Sequence, residues 1–554
     1  MRRSIGTTPA LAFVFVLLAA CSTSPPAPSP APAPPAAGSD GQFARAREMR
    51  ALALTRTERI AVTGARYSPA PFLVPGNRFA TSAPNKPLLV AEHPVSTFSA
   101  DVDTASYAYL RRVLTEGRVP SPDAVRVEEM VNYFPYQYSA PRGRGEPFAV
   151  TTEVMPSPWN PGNQLVHIGV RGFDLHAAER PRANVVLLVD VSGSMQSGDR
   201  LPLLKQGFHL FASQLRDDDQ VAIVTYASDT RVALEPTPGK DKQKILAAIE
   251  ALRAGGSTSG GEGLQRAYAL AESNFDAKAV NRVILATDGD FNVGITDPRQ
   301  LEQFIASRRK AGVYLSVFGV GEGNLNDALM QRLAQSGNGQ AAYIDSLLEA
   351  RKAMGDALGS TMFPIANDVK LQVEFNPGQV QAYRLIGYET RMLDRQDFNN
   401  DKVDAGDMAA GHTVTAIYEI TPVGASTGSV DPLRYGGARA TPAAGAKGDE
   451  LCYVKLRYKL PGEASSRLVE HAVRAAAARK GLDAVPDEQR FAVAVAAFGQ
   501  RLRGEPQLAD YSYADIATLA NSARGTDPDG YRAEFVRLVR MADALSTAGS
   551  LSQR

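Results

Sequence analysis

The run Val185-Val186-Leu187-Leu188-Val189-Asp190-Val191-Ser192-Gly193-Ser194-Met195 decides the architecture of this chain. Its apolar part has no alternation that would turn one side to water, so it reads as a strand buried on both faces, as in a parallel sheet covered by helices. The run then breaks into an acid and two hydroxyls spaced one residue apart. Ligands of open α/β sheets sit at the carboxyl ends of strands, so Asp190, Ser192 and Ser194 are candidate site residues held in one loop. All three offer hard oxygen.

Two further segments complete the set. Thr258 lies in Ala254-Gly255-Gly256-Ser257-Thr258-Ser259-Gly260-Gly261, and Asp288 follows the apolar strand Val283-Ile284-Leu285-Ala286-Thr287. Asp-x-Ser-x-Ser alone suits a turn or a helix cap equally well. Joined by Thr258 and Asp288 in that order, it resembles the metal-ion-dependent adhesion site of the von Willebrand factor A (VWA) family. The resemblance implies that Ser192, Ser194 and Thr258 bind a divalent cation directly, while Asp190 and Asp288 act largely through bound water. Mg²⁺ is the expected ion, with Mn²⁺ or Ca²⁺ as alternatives; Mg²⁺ takes a near-octahedral shell of oxygens at about 2.0–2.1 Å and keeps some of its water. A cation touched mainly by neutral hydroxyls retains much of its charge, so its remaining corner suits an Asp or Glu carboxylate on another protein.

Around the decisive strand, residues 182–358 alternate strand and helix, which predicts an α/β, doubly wound, mainly parallel Rossmann-like sheet. Leu204, Phe208, Phe211 and Leu215 share one face of a helix over 201–215, and Arg231 to Leu234 suits an antiparallel edge strand. Two glycine-rich stretches fail as nucleotide sites. Gly319-Val320-Gly321-Glu322-Gly323-Asn324 puts Asn where the dinucleotide fingerprint needs its third Gly, and the Gly255 to Gly261 loop lacks the Gly-Lys-Ser/Thr ending of a P-loop.

The VWA core is predicted to be inserted between β-rich flanks. Residues 145–175 and the strand-like runs at 369–375, 380–388, 412–421 and 451–460 combine into an expected β-sandwich. From Ser466 onward the expectation is helical: Leu468 to Ala478, Glu488 to Arg503, Tyr513 to Ala523 and Asp529 to Leu545. The segment 98–138, with Val127-Glu128-Glu129-Met130-Val131-Asn132-Tyr133-Phe134, and the ending Gly530-Tyr531-Arg532-Ala533-Glu534-Phe535-Val536-Arg537-Leu538 resemble the two extensions of a family of bacterial VWA lipoproteins. By that resemblance 98–138 is the N-terminal extension and 369–545 the β-rich, then helical, C-terminal family domain. Asp101 and Asp103 are open to reading as a second metal pair, but a helix cap at Asp103 or Thr104 is favoured. Asp397 to Lys402 starts like a calcium loop and fails, with Lys402 in place of the required Gly.

Composition narrows the function classes. A hydrophobic share of 44% and a charged share of 21% are those of a globular protein. The formal charge is +1, and −1 once Arg2 and Arg3 leave with residues 1–20. Such a chain has no basic stripe for a phosphate backbone, so neither nucleic acid nor nucleotide is an expected partner. Arg2, Arg3, the apolar Leu11 to Leu18 and Leu18-Ala19-Ala20-Cys21 resemble a bacterial lipoprotein signal, implying cleavage before Cys21, acylation of that cysteine and a membrane anchor. Ser22 after it favours the outer membrane, facing the periplasm, in a two-membrane organism. Residues 21–40 read as a Pro/Ala/Ser linker and 41–97 carry no assignment. Cys452, the other cysteine, reads as a small buried hydrophobe.

The expectation is an envelope-tethered, metal-dependent protein-binding module, not an enzyme. The alternatives are a metal-assisted hydrolase and a structural protein in which the cation staples loops. Against the hydrolase, the six histidines are scattered, and Ser194 lies in Ser-Gly-Ser-Met rather than a Gly-x-Ser-x-Gly elbow.

Overall fold

The computed structural model describes residues 76–551 apart from 101–102, 144, 176–178, 258–261, 290–296, 356–361, 426–447 and 509. Thr258, Cys21, Asp101 and the leader and linker assignments therefore lie outside the described residues. In chain order, β1 (Leu88–Leu89), β2 (Val95–Ser99), α1 (Ala105–Thr115), α2 (Val127–Val131), β3 (Phe148–Pro156) and β4 (Gln164–Gly172) precede the decisive strand, β5 (Arg182–Asp190). After it come α3 (Leu201–Gln214), β6 (Gln220–Tyr226), β7 (Thr230–Pro238), α4 (Lys242–Ala251), α5 (Gly263–Ser273), β8 (Ala279–Thr287), α6 (Pro298–Lys310), β9 (Val313–Val320), α7 (Asp327–Ser336), β10 (Ala341–Ile344) and α8 (Leu347–Ala350). The remainder comprises β11 (Pro364–Phe375), β12 (Val380–Leu385), β13 (Gly406–Ala409), β14 (Thr413–Pro422), β15 (Glu450–Lys459), β16 (Arg467–Arg474), α9 (Asp487–Arg503), α10 (Tyr513–Ser522) and α11 (Tyr531–Leu551).

Both faces of β5 are covered, as its apolar run requires. Val185, Leu187 and Val189 pack into one cluster with Leu204, Phe208 and Phe211 of α3. Val186 and Leu188 point the other way, against Leu264, Ala267 and Tyr268 of α5. The sheet order is β10-β9-β8-β5-β6-β7, parallel throughout except for the antiparallel edge strand β7. The chain starts at β5 in the middle, winds outward to β6 and β7, then returns to β8 on the other side of β5. A crevice opens where strand order reverses, between the carboxyl ends of β5 and β8.

The flanks form the expected sandwich. One sheet runs β1-β12-β14-β4-β3; the other runs β13-β11-β15-β16, with β2 paired to β11. Val166, Ile168 and Val170 of β4 share one core with Leu371 and Val373 of β11 and Val454 and Leu456 of β15, so strands from both sides of the VWA core build a single body. Helices α1, α2, α9, α10 and α11 pack with the α5 face of the VWA sheet through Tyr133, Phe134, Phe491 and Phe535.

Two expectations are corrected. Residues 468–478 are not a helix: Arg467–Arg474 is the edge strand β16, paired antiparallel with β15 from Tyr458↔Arg467 to Glu450↔Arg474. The alanine and arginine content favours helix locally, but pairing with β15 supplies a ladder that overrides it. Asp103 is not the N-cap residue of α1 and binds distant partners instead. Its Oδ1 accepts from Ala341 N at 2.7 Å and its Oδ2 from Arg391 Nη2 at 2.7 Å, while Thr104 holds the N-cap position without a side-chain bond.

Candidate metal centre

Asp190 ends β5 with 0% of its surface exposed. Its Oδ1 accepts the Ser192 N–H at 2.9 Å; its Oδ2 accepts the hydroxyls of Tyr226, at 3.2 Å, and Thr287, at 3.3 Å. Tyr226 closes β6 and Thr287 closes β8, so one carboxylate ties together three strand tips. Burial raises the Asp190 carboxyl above the ordinary carboxylate range, against the pull of the Ser192 bonds, and the charge of Asp288 adds to the rise.

The following loop turns the two hydroxyls toward each other. Ser192 is buried and Ser194 exposed, with their Oγ atoms 3.1 Å apart. That spacing matches adjacent corners of an octahedron with bonds of about 2.1 Å, where oxygens sit about 3 Å apart. The loop that leads to Thr258 is pinned alongside: Gly193 N donates to Gly256 O at 2.9 Å and Gly255 N to Val191 O at 2.8 Å.

Asp288 is 1% exposed and sits beside β5 at the tip of β8. Its Oδ2 accepts from Arg200 Nη1 at 2.5 Å, and the same nitrogen donates to Ser194 O at 2.9 Å. Its Oδ1 is buried with no hydrogen-bond partner among the described residues. A buried anionic oxygen left unpaired is costly, and a cation in the crevice is the group that would satisfy it. Among the described residues no group of three or more His, Cys, Asp or Glu side chains is arranged to hold a metal ion. The residues fit a hard, oxygen-seeking cation: Ser192 and Ser194 would hold it, and Asp190 and Asp288 would balance its charge.

Arg200 has no counterpart in the sequence reading. It precedes α3 and reaches across the crevice, its Nη2 donating to Glu322 O at 2.6 Å. One glycine makes room: Gly321, at φ +71°, would place a Cβ 2.2 Å from Arg200 Nε. Gly289, at φ +109°, lets β8 pass close to the 322–326 loop, where a Cβ would come to 2.1 Å from Asn324 O. No signal near Arg200 in the chain announces the pairing, because its partners lie 88 and 122 residues away.

A doubly wound sheet with this loop set at its switch point defines a von Willebrand factor type A protein, and the family model described as von Willebrand factor type A domain matches residues 184–355. A second model, described as von Willebrand factor, matches 74–167, and one described as the C-terminal part of the uncharacterized protein YfbK matches 360–545. The chain is 46% identical over 463 residues to YfbK of Escherichia coli, covering 82% of this chain and 79% of that protein, and it belongs to the YfbK family. It is 25% identical over 202 residues to human inter-alpha-trypsin inhibitor heavy chain H4, covering 35% of this chain and 21% of that one. A solved von Willebrand factor type A protein from Catenulispora acidiphila is 16% identical, with a TM-score of 0.40 over 71% of this chain and 89% of that one. A VWA domain points to a protein-binding or adhesion module, and such domains commonly hold a divalent metal ion.

Proposed function

We propose that this protein is a cation-dependent binding module, tethered to the cell envelope, that captures a carboxylate of a partner protein. The observation that carries the reading is the buried, unpartnered Oδ1 of Asp288 at the switch point that also holds the paired Ser192 and Ser194 hydroxyls. When bound, Mg²⁺ or a similar ion supplies Lewis acidity and a coordination corner for an Asp or Glu side chain. This chain's residues supply the rest. Asp190 fixes the loop through Ser192 N–H, the two hydroxyls stand at the crevice, and Arg200 holds Asp288 in place. Thr258, by its place in the motif, is proposed as the third hydroxyl ligand.

Binding is proposed in preference to hydrolysis because the described crevice residues include no base poised on a nucleophile. Three of the five described histidines are engaged elsewhere: His167 meets Tyr138, His209 meets Glu250 and His471 meets Thr152. The proposed anchor is acylated Cys21, followed by the Pro/Ala/Ser linker; among the described residues no helix is long and apolar enough to cross a membrane. The decisive test is affinity capture from detergent-solubilised envelopes with Mg²⁺ or EDTA. A partner retained by wild type only with Mg²⁺, and lost with Ser194→Ala, is expected; retention unaffected by EDTA and by the substitution overturns the proposal.

A further inference from the structure

Arg282 lies on β8, six residues before Asp288 and so about 20 Å from it along the strand, toward the opposite end of the VWA sheet. It is 5% exposed. Its Nη1 donates to Ser316 Oγ at 2.7 Å and its guanidinium lies 5.5 Å from the centre of the Tyr314 ring, but its Nε is buried with no hydrogen-bond partner among the described residues. It makes no ion pair among the described residues. Burial without a countercharge is the expensive state of an arginine, and it pulls this guanidinium below its ordinary value.

The guanidinium lines a cavity of about 180 Å³ where the VWA domain meets the sandwich. Asn338 and Gln340, from the turn after α7, contribute to the wall on the VWA side; Met392, Leu393 and Asp407 contribute on the sandwich side. The acid whose charge bears on Arg282 is Asp407. Its Oδ2 accepts from the amides of Asn338, at 2.9 Å, and Asn367, at 2.7 Å, and burial pushes its carboxyl up to about 7. The two other charged pairs at the cavity are internally matched: Arg391 with Asp103, and Asp404 with Arg309.

We propose that this junction cavity is a second ligand site, distinct from the cation centre, which binds a small organic carboxylate through Arg282. A planar carboxylate can take two parallel N–H bonds from one edge of a guanidinium. The mixed lining, amides on one side and Met392 and Leu393 on the other, suits an anion with a short apolar body. The volume limits that body to a few carbon atoms.

The test uses the mature-length protein in EDTA, so that the cation centre plays no part. Acetate, propionate, succinate and inorganic phosphate are titrated by calorimetry and by thermal melting against wild type, Arg282→Met and Arg282→Lys. Saturable binding of propionate or succinate to wild type is expected, with a raised melting temperature. Arg282→Met removes a buried charge for an apolar chain of similar length and is expected to fold, losing the ligand-induced rise. Arg282→Lys keeps the charge without the fork and is expected to bind at least tenfold more weakly. The proposal is overturned if no carboxylate binds wild type, if phosphate alone binds, or if either variant binds carboxylate as tightly as wild type.

Discussion

Removing the Ser194 hydroxyl should separate cation binding from folding. Ser194 is exposed, and its side chain's hydrogen bond is to Ser192 Oγ at 3.1 Å, so Ser194→Ala should change stability by no more than about 0.5 kcal/mol. Asp190→Ala behaves differently. It strands the Ser192 N–H and takes one acceptor from each of the Tyr226 and Thr287 hydroxyls around a buried hole. At about 1–3 kcal/mol for the stranded N–H and about 0.5–1.5 kcal/mol for each hydroxyl bond lost, offset by relief of a buried carboxylate beside Asp288, the net loss is about 2–4 kcal/mol even without a metal. Asp190→Ala therefore cannot distinguish a binding site from a structural staple, and Ser194→Ala can. Loss of one direct oxygen ligand should weaken Mg²⁺ at least tenfold, about 1.4 kcal/mol. Calorimetric titration of leaderless protein gives the affinity, and urea melts in EDTA give the stability. In wild type, Mg²⁺ at a hundredfold over its Kd should add about 2.7 kcal/mol to unfolding, an increment that shrinks in Ser194→Ala at the same concentration. Wild-type Mg²⁺ affinity in Ser194→Ala, or no uptake by wild type, would refute the assignment of this hydroxyl.

Three further outcomes follow from buried groups outside the crevice. Arg111 joins α1 to Asp345 (2.7 Å), Glu349 (2.8 Å) and Glu534 of α11 (3.2 Å), so Arg111→Met should cost about 3–5 kcal/mol in urea unfolding by leaving buried acids without their cation. A loss under 1 kcal/mol would mean that those acids protonate freely. Glu128 is 2% exposed with Oε2 unpartnered, and burial, reinforced by Glu389 and Glu129, pushes its carboxyl up to about 7. A raised folded-state value favours the protonated form in the fold, so this contribution is intact below about pH 4.5 and fades as pH rises through 7. Glu128→Gln should accordingly lose less stability than wild type between pH 5.5 and 8, and parallel urea midpoints in the two proteins would contradict that. Burial also pushes the Cys452 thiol up to about 12, so in leaderless protein thiol reagents should label it only after denaturation. Rapid labelling of native protein would place it at a surface.

What could be read from the sequence was whatever local chemistry and burial decide together. Val185 to Val189 had to be apolar throughout because helices cover both faces of β5, and that constraint is written residue by residue. Asp190, Ser192, Ser194 and Asp288 were picked out by resemblance to the VWA motif, and the structure places them at the carboxyl tips of the adjacent strands β5 and β8. Thr258 lies outside the described residues, so only its loop neighbours Gly255 and Gly256 bear on it here. Edge strand β16 was illegible because its outward side chains pack on little, with Leu468 47% exposed, leaving no periodic stripe to compete with the helix-favouring Ala475-Ala476-Ala477 that follows.

Long-range pairing is the remaining blind spot, and it is concentrated where function is proposed. Asp103 looks like a cap because its neighbours in the chain start a helix, yet its charge is spent on Arg391, 288 residues away. Arg200 looks like a surface residue before α3, yet it spans the crevice because Gly321 leaves it room. Arg282 looks like a polar lapse in an apolar strand. A lapse of that kind is tolerated in a buried strand when something compensates the charge, and Ser316 and Tyr314 do so only in part. Arg282 on β8 and Asp288 just beyond its carboxyl end stand toward opposite ends of one strand, so the proposed anion site and the proposed cation site can be tested independently with ligands of opposite sign.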